Sequence, residues 1–230
     1  MYGVKLDGLG KALPLNEITN DDLSTMVDTS DEWIATRTGI RKRRIATEES
    51  TTSLATEAAR QAIDNSSLSV EDIELVIVAT VSANNVMPST ACAVAENLGI
   101  TNAVSFDITA ACSGFIFASE VATTFLKQGV YKNAVVIGAE TLSRLVDWTD
   151  RGTCILFADG AGAAVYKQVA QEEDKIFGFV NKSGGGSDLI TCANIPHSTR
   201  FDKERKTDQY IHMNGQAVYK FATTEVPKLI

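Results

Sequence analysis

Cys112 is the residue whose type and setting could do the most chemistry. It lies in Ile108-Thr109-Ala110-Ala111-Cys112-Ser113-Gly114-Phe115, where tiny residues join a strand-like run to a helix-like one. A thiol in the first turn of a helix faces unpaired backbone N–H groups and the positive end of the helix dipole. Both favour the thiolate, which is the nucleophilic form. The plain alternative is a small buried hydrophobe, a common role for free cysteine. The other cysteines, Cys92, Cys154 and Cys192, lie far from it with no C-x-x-C pair. They read as reduced thiols, neither a zinc site nor a disulfide framework. Basic residues gather at Arg37 and Arg41-Lys42-Arg43-Arg44. Such a run is either a solvated face or a place to meet a phosphorylated ligand.

The elements that must position these groups alternate between strand and helix. Leu75–Thr80 is a continuous apolar run suited to a strand covered on both faces, and Ala134–Gly138 repeats it. Helical stretches are expected over Ser53–Asn65, Pro88–Leu98 and Cys112–Gln128. Pro88 suits the first turn of the second, and Gly99 falls just past its end. The third is apolar on nearly every face and closes at Gly129, which predicts burial inside a layered fold. Strands separated by helices imply a mainly parallel α/β sheet.

Two glycine-rich segments are not phosphate cradles. Asp159-Gly160-Ala161-Gly162-Ala163 lacks the third glycine of a dinucleotide fingerprint and leads into a strand-like Ala163–Tyr166. Gly184-Gly185-Gly186 has no Gly-Lys-Ser/Thr after it. The last segment, Asn214–Ile230, reads as a helix whose apolar positions (Val218, Phe221, Ala222, Val226, Leu229, Ile230) call for a partner. A chain ending on such a face is expected to be part of something larger.

Composition bounds the rest. The 230 residues can bury one large core or two smaller ones, and 44% hydrophobic with 22% charged residues is ordinary for a globular protein. A net charge of −8 argues against nucleic acid as a general partner. The N-terminus has no signal-like apolar stretch, and runs such as Leu75–Ala79 are too short to span a bilayer. A cytoplasmic protein with no membrane partner is the expectation.

Three motifs together resemble one family, β-ketoacyl-acyl-carrier-protein synthase III. They are Asp28-Thr29-Ser30-Asp31-Glu32-Trp33-Ile34-Ala35-Thr36-Arg37-Thr38-Gly39-Ile40, then Ala110-Ala111-Cys112-Ser113-Gly114-Phe115, then Asp150-Arg151-Gly152-Thr153 leading to Phe157-Ala158-Asp159-Gly160-Ala161-Gly162-Ala163. Their order and spacing match the family across essentially the whole chain. The resemblance implies a thiolase-like layered α/β/α fold built from two similar halves. Residues 1–170 would supply the first half with the nucleophile, and residues 171–230 the start of the second.

The resemblance also implies the chemistry. Cys112 would take an acyl group from acetyl- or another short acyl-CoA, and malonyl-acyl-carrier protein would then lose CO₂ and condense with the thioester. A covalent thioester divides one hard condensation into two easier steps. Trp33 and Arg151 match residues that hold the adenine of CoA, Arg37 one that reaches its phosphates, and Thr29 and Gly152 belong to the same groove. Met87, Phe157 and Leu189 match the acyl pocket, Met87 reaching it from the partner subunit of a homodimer. Methionine at that position implies tolerance of somewhat different primers. Lys220 matches a position implicated in carrier-protein docking. The strand Ala103–Ile108 would pair across the two-fold axis. No cofactor or metal is implied, since acyl-CoA is a substrate.

The family's catalytic histidine and asparagine fall later than this sequence reaches. The two histidines present, His197 and His212, lack that context and are assigned no catalytic role. Residues 1–230 are therefore expected to be acylated at Cys112 and not to condense alone. The competing readings are a related thiolase-fold condensing enzyme with another acyl acceptor, and a non-catalytic partner subunit.

Overall fold

The computed structural model describes residues 1–184, 186–192 and 209–229. In chain order its strands are β1 (Gly3–Ala12), β2 (Glu17–Thr19), β3 (Lys42–Arg44), β4 (Leu75–Ala79), β5 (Val104–Ile108), β6 (Asn133–Thr141), β7 (Asp159–Val169), β8 (Ile190–Cys192) and β9 (Ile211–Met213). Its helices are α1 (Asn20–Ser24), α2 (Asp31–Thr38), α3 (Thr51–Asp64), α4 (Thr90–Leu98), α5 (Gly114–Lys127), α6 (Arg151–Cys154) and α7 (Gly215–Glu225). They form two compact units, each discontinuous in sequence. The first comprises Met1–Asn16, Arg44–Thr141 and Ala158–Phe179; the second comprises Glu17–Arg43, Leu142–Phe157 and the chain from Val180 onward.

The first unit is a five-stranded sheet in the order β1-β7-β6-β4-β5, with helices on both faces. Successive side chains of β4 and β6 point to opposite faces, so their apolar runs feed two cores. Val76, Val78, Val135 and Ile137 pack beneath α3 and α4, while Leu75, Ile77, Ala134 and Val136 pack beneath α5. Serine starts both helices of the first face. The Ser50 hydroxyl accepts the Ser53 N–H (3.1 Å), and the Ser89 hydroxyl accepts the Cys92 N–H (3.2 Å). The alanine stripe Ala55, Ala58, Ala59 and Ala62 lets α3 lie close on β1. Gly8 and Gly10 complete that fit, because a Cβ on either would come within 2.1 Å of an α3 carbonyl oxygen.

Three expectations need correction. The sheet is mixed: β5, β4 and β6 run parallel, whereas β7 pairs antiparallel with both β6 and β1. The 142–158 connection between β6 and β7 carries a 3₁₀ turn, Leu142–Leu145, and the one-turn α6, with no long crossover helix, and the chain re-enters reversed. Pro88 lies ahead of α4, joined to Met87 by a cis peptide bond. Ser89 is the better start because its oxygen satisfies an orphan N–H. Finally, α5 buries only one face, with Ala118, Ser119, Ala122, Thr123 and Leu126 against the sheet and Ile116 exposed. Its buried hydroxyls are satisfied locally: Ser119 donates to the Phe115 carbonyl (2.7 Å) and accepts from the Tyr166 hydroxyl (2.9 Å).

In the second unit, α2 starts at Ser30, whose hydroxyl accepts the Trp33 N–H (3.1 Å), and ends at Gly39 in the left-handed conformation (φ 74°). Its core gathers Leu23, Ile34, Val146, Cys154, Ile155 and Ile211. The expected terminal helix is α7, followed by a short 3₁₀ turn, Val226–Lys228, and no side chain of α7 is buried.

Candidate functional site

The parallel strands β5, β4 and β6 align so that Ile108, Ala79 and Gly138 stand side by side near their carboxyl ends. Ligands of open α/β sheets bind beyond this edge, and Cys112 is placed there by the turn leaving β5. Cys112 occupies a 3₁₀ turn, Ala111–Ser113, immediately ahead of α5. Its sulfur is therefore at a helix start, and the residue is exposed. The buried hydrophobe reading fails for Cys112 and fits Cys154 instead, which is fully buried. Burial pushes the Cys154 thiol up, with Asp150 adding to the effect, so this is the inert sulfur.

Local backbone geometry explains how strand becomes helix within five residues. Ala111 adopts a left-handed φ of 45°, a region that costs a non-glycine residue roughly 1–3 kcal/mol. Gly114 lets the start of α5 approach β4, since a Cβ there would lie 3.0 Å from the Cβ of Ala79. On the far side of β5, the Asp107 carboxylate accepts the Thr90 (2.7 Å) and Ala91 (2.8 Å) N–H groups and so fixes α4 to the strand that carries the nucleophile loop. Met87, in the loop before α4, is 81% exposed.

The second unit assembles a separate cluster. The Trp33 ring carries the Arg37 guanidinium at 4.3 Å and the Arg151 guanidinium at 4.6 Å from its centroid. Arg37 lies one helical turn after Trp33 and donates to its carbonyl (3.2 Å). Arg151 opens α6 and donates to the Asp28 carbonyl (2.7 Å), with the Asp28 carboxylate 3.9 Å away. Beside Asp28, the Thr29 hydroxyl is buried with no hydrogen-bond partner among the described residues. The Gly152 N–H is taken by Asp150 (2.8 Å). Phe157 is half-buried against the apolar core of this unit. Leu189 is half-buried in a turn closed by its N–H to the Gly186 carbonyl (3.0 Å). Lys220 is exposed on α7.

The Arg41–Arg44 run is tied up in structural contacts, Arg44 donating to the Leu15 carbonyl (3.1 Å). Arg41 pairs with Asp31 and Lys42 with Glu17 (3.0 Å). Arg43 is buried and donates to the Asn20 side chain (2.8 Å) and the Ile155 carbonyl (3.3 Å). His212 is exposed on β9, and His197 lies outside the described residues.

Sequence reasoning missed Glu140. It follows the apolar run Val135-Val136-Ile137-Gly138-Ala139 as a lone acid at a strand end, and that position was the available signal. Its half-buried carboxylate accepts the Val81 (2.9 Å) and Ser82 (3.1 Å) N–H groups and the hydroxyls of Thr80 (3.4 Å) and Ser82. Burial pushes this carboxyl above the usual range against the opposing pull of those hydrogen bonds.

Comparison with known proteins agrees with this architecture. The family model described as 3-oxoacyl-[acyl-carrier-protein (ACP)] synthase III matches residues 106–185. The crystal structure of 3-oxoacyl-[acyl-carrier-protein] synthase III from Aquifex aeolicus superposes with a TM-score of 0.76 at 43% identity, covering 95% of this chain and 67% of that one. The priming β-ketosynthase of the R1128 polyketide pathway gives a TM-score of 0.90 at 30% identity, covering 99% and 68%. The fold is thus thiolase-like, shared with solved 3-oxoacyl-(acyl-carrier-protein) synthase III condensing enzymes. The β-ketoacyl-[acyl-carrier-protein] synthase III of Clostridium botulinum is 46% identical over 100% of this chain and 71% of its own length. The chain belongs to the β-ketoacyl-acyl-carrier-protein synthase III family, a family of acyltransferases.

Proposed function

We propose that Cys112 accepts an acyl group from a short acyl-CoA as the first half-reaction of a condensation with malonyl-acyl-carrier protein. The observation that carries this reading is an exposed Cys112 at a helix start beyond the carboxyl ends of the parallel strands. The thiolate attacks the thioester carbon, a new C–S bond forms, and CoA leaves as its own thiolate. Backbone N–H groups at the start of α5 would stabilise the developing oxyanion, each such donor being worth about 3–4 kcal/mol.

The Trp33, Arg37 and Arg151 cluster supports CoA as donor, because indole and guanidinium planes stack on a base and arginine pairs with phosphate. Thr29 and Gly152 belong to that groove in this reading; Met87, Phe157 and Leu189 would line the acyl pocket, and Lys220 would meet the acidic carrier protein. A second copy would pair along β5, the edge strand of its sheet, where Val104 is 47% exposed. No residue described above is assigned to decarboxylation. Acyl-CoA serves as substrate and no cofactor is invoked. Among the described residues no helix is long and apolar enough to cross a membrane.

Intact-mass measurement after exposure to acetyl-CoA tests the reading. Wild-type chain gains one acetyl group and Cys112→Ser gains none. An unmodified wild type, or an equally modified Cys112→Ser, contradicts it.

A further inference from the structure

Glu140 lies at the carboxyl end of β6 on the face that α5 covers. Residues 134, 136, 138 and 140 share that face by strand alternation: Ala134 and Val136 belong to the α5 core, and a Cβ on Gly138 would lie 3.5 Å from the Phe115 ring. A charged group at this place needs a reason, because desolvating a carboxylate is costly unless it is hydrogen-bonded. Its partners all belong to one short turn, Thr80-Val81-Ser82, which leaves β4. That turn is in contact with the nucleophile loop. The Thr80 N–H donates to the Ile108 carbonyl (3.2 Å), and the Thr109 hydroxyl donates to the Thr80 carbonyl (3.3 Å). Thr109 precedes Cys112 by three positions in the sequence. The other side of the turn is also tied down, for the Ser82 hydroxyl accepts the Thr141 N–H (2.8 Å) and the Ser82 carbonyl accepts the Thr51 hydroxyl (2.7 Å).

We propose that Glu140 is a positioning residue for Cys112, acting through the Thr80–Ser82 turn and Thr109. The proposal rests on the reading of Cys112 as the acyl acceptor. The strained Ala111 makes such support necessary: a left-handed alanine persists only where its surroundings over-determine it. The β5 end of the loop is held by Asp107 on the α4 side and by this turn on the β4 side. Releasing the turn would let the sulfur drift, and a misplacement of about 1 Å costs roughly hundredfold in rate.

The test is the rate of Cys112 acylation by acetyl-CoA, followed by intact mass across a concentration series. For Glu140→Ala the limiting rate falls about hundredfold while the half-saturating concentration stays put, since binding is not what changes. Glu140→Gln keeps one carbonyl oxygen for the turn and loses about tenfold or less. Thr109→Val lowers the rate in the same direction, and combining it with Glu140→Ala adds little, because both act on one contact. A folded Glu140→Ala that acylates at the wild-type rate overturns the proposal, as does a change confined to the half-saturating concentration. So does full additivity of Glu140→Ala with Thr109→Val. Should Glu140→Ala not fold, Glu140→Gln and Thr109→Val carry the same test, and a wild-type rate in both overturns the proposal. A wild type that takes no acetyl group removes the acyl-acceptor reading and this role together.

Discussion

Residue types carry much of the chemistry here, and their meaning depends on what each touches. Trp33 offers one indole to two guanidinium groups, both at single-layer distance from the ring. A base inserted between Trp33 and Arg151 needs two layers, roughly 7 Å in all at about 3.5 Å each. Under the proposed reading, Arg151 therefore leaves the ring when CoA binds and loosens its hold on Asp28. Trp33→Ala should raise the half-saturating acetyl-CoA concentration about tenfold, the value of one base–aromatic stack. Acetyl-pantetheine has the same thioester and no adenine, so the substitution should leave its acylation unchanged. Measuring both series decides the matter; an equal loss with both thioesters would show that Trp33 supports the fold and not the base. The place of Cys112 just ahead of a helix was legible from its small neighbours and the apolar stretch that follows. The left-handed Ala111 and the Glu140 turn were not, since both arise from contacts between segments distant in sequence.

Elements show where sequence patterns inform and where they mislead. β4 and β6 were plain from unbroken apolar runs, and α3 was expected over Ser53–Asn65, although it starts earlier, at Thr51 after the Ser50 cap. The direction of β7 was not, because strand periodicity is the same whichever way the strand runs. Nor was the half-open face of α5, since a helix apolar on nearly every face says only that something should cover it and not what does. The α3–β1 contact makes a firm prediction. Gly10→Ala would drive a methyl group into the Ala58 carbonyl oxygen and an α3 backbone nitrogen 2.5 Å away. Backbone cannot yield as a flexible side chain does, so the cost should be about 2–3 kcal/mol in urea unfolding. A variant within about 0.5 kcal/mol of wild type would show that α3 shifts freely on the sheet.

At the scale of the whole molecule, the first unit closes through a charge. Lys127, in the last turn of α5, donates to Asp174 (2.7 Å) and to the Ile176 carbonyl, and Asp174 also accepts the Val4 N–H (3.0 Å) from β1. The Lys127 ammonium, with the N–H groups of Val4 and Ile176 (3.1 Å), holds the Asp174 carboxyl down at about 2. A lowered folded-state value means the contribution is present above the ordinary carboxylate range and is lost as the pH falls toward 2. Asp174→Asn should cost about 1 kcal/mol at neutral pH after allowing for solvent screening. The gap from wild type should close between pH 4 and pH 2 in denaturant titrations, and a gap that persists at pH 2 would contradict the assignment. The family fold was legible in three motifs, whereas the division into two discontinuous units was not, because linear order hides which segments pack together. The central claim concerns one sulfur among four, three of them exposed. Peptide mapping after brief treatment with limiting acetyl-CoA tests it most directly. The account predicts acetyl on the Cys112 peptide with matching CoA release, and none on Cys92 or Cys192. Acetyl spread over all three exposed thiols would mean that accessibility alone, and no built site, selects the sulfur.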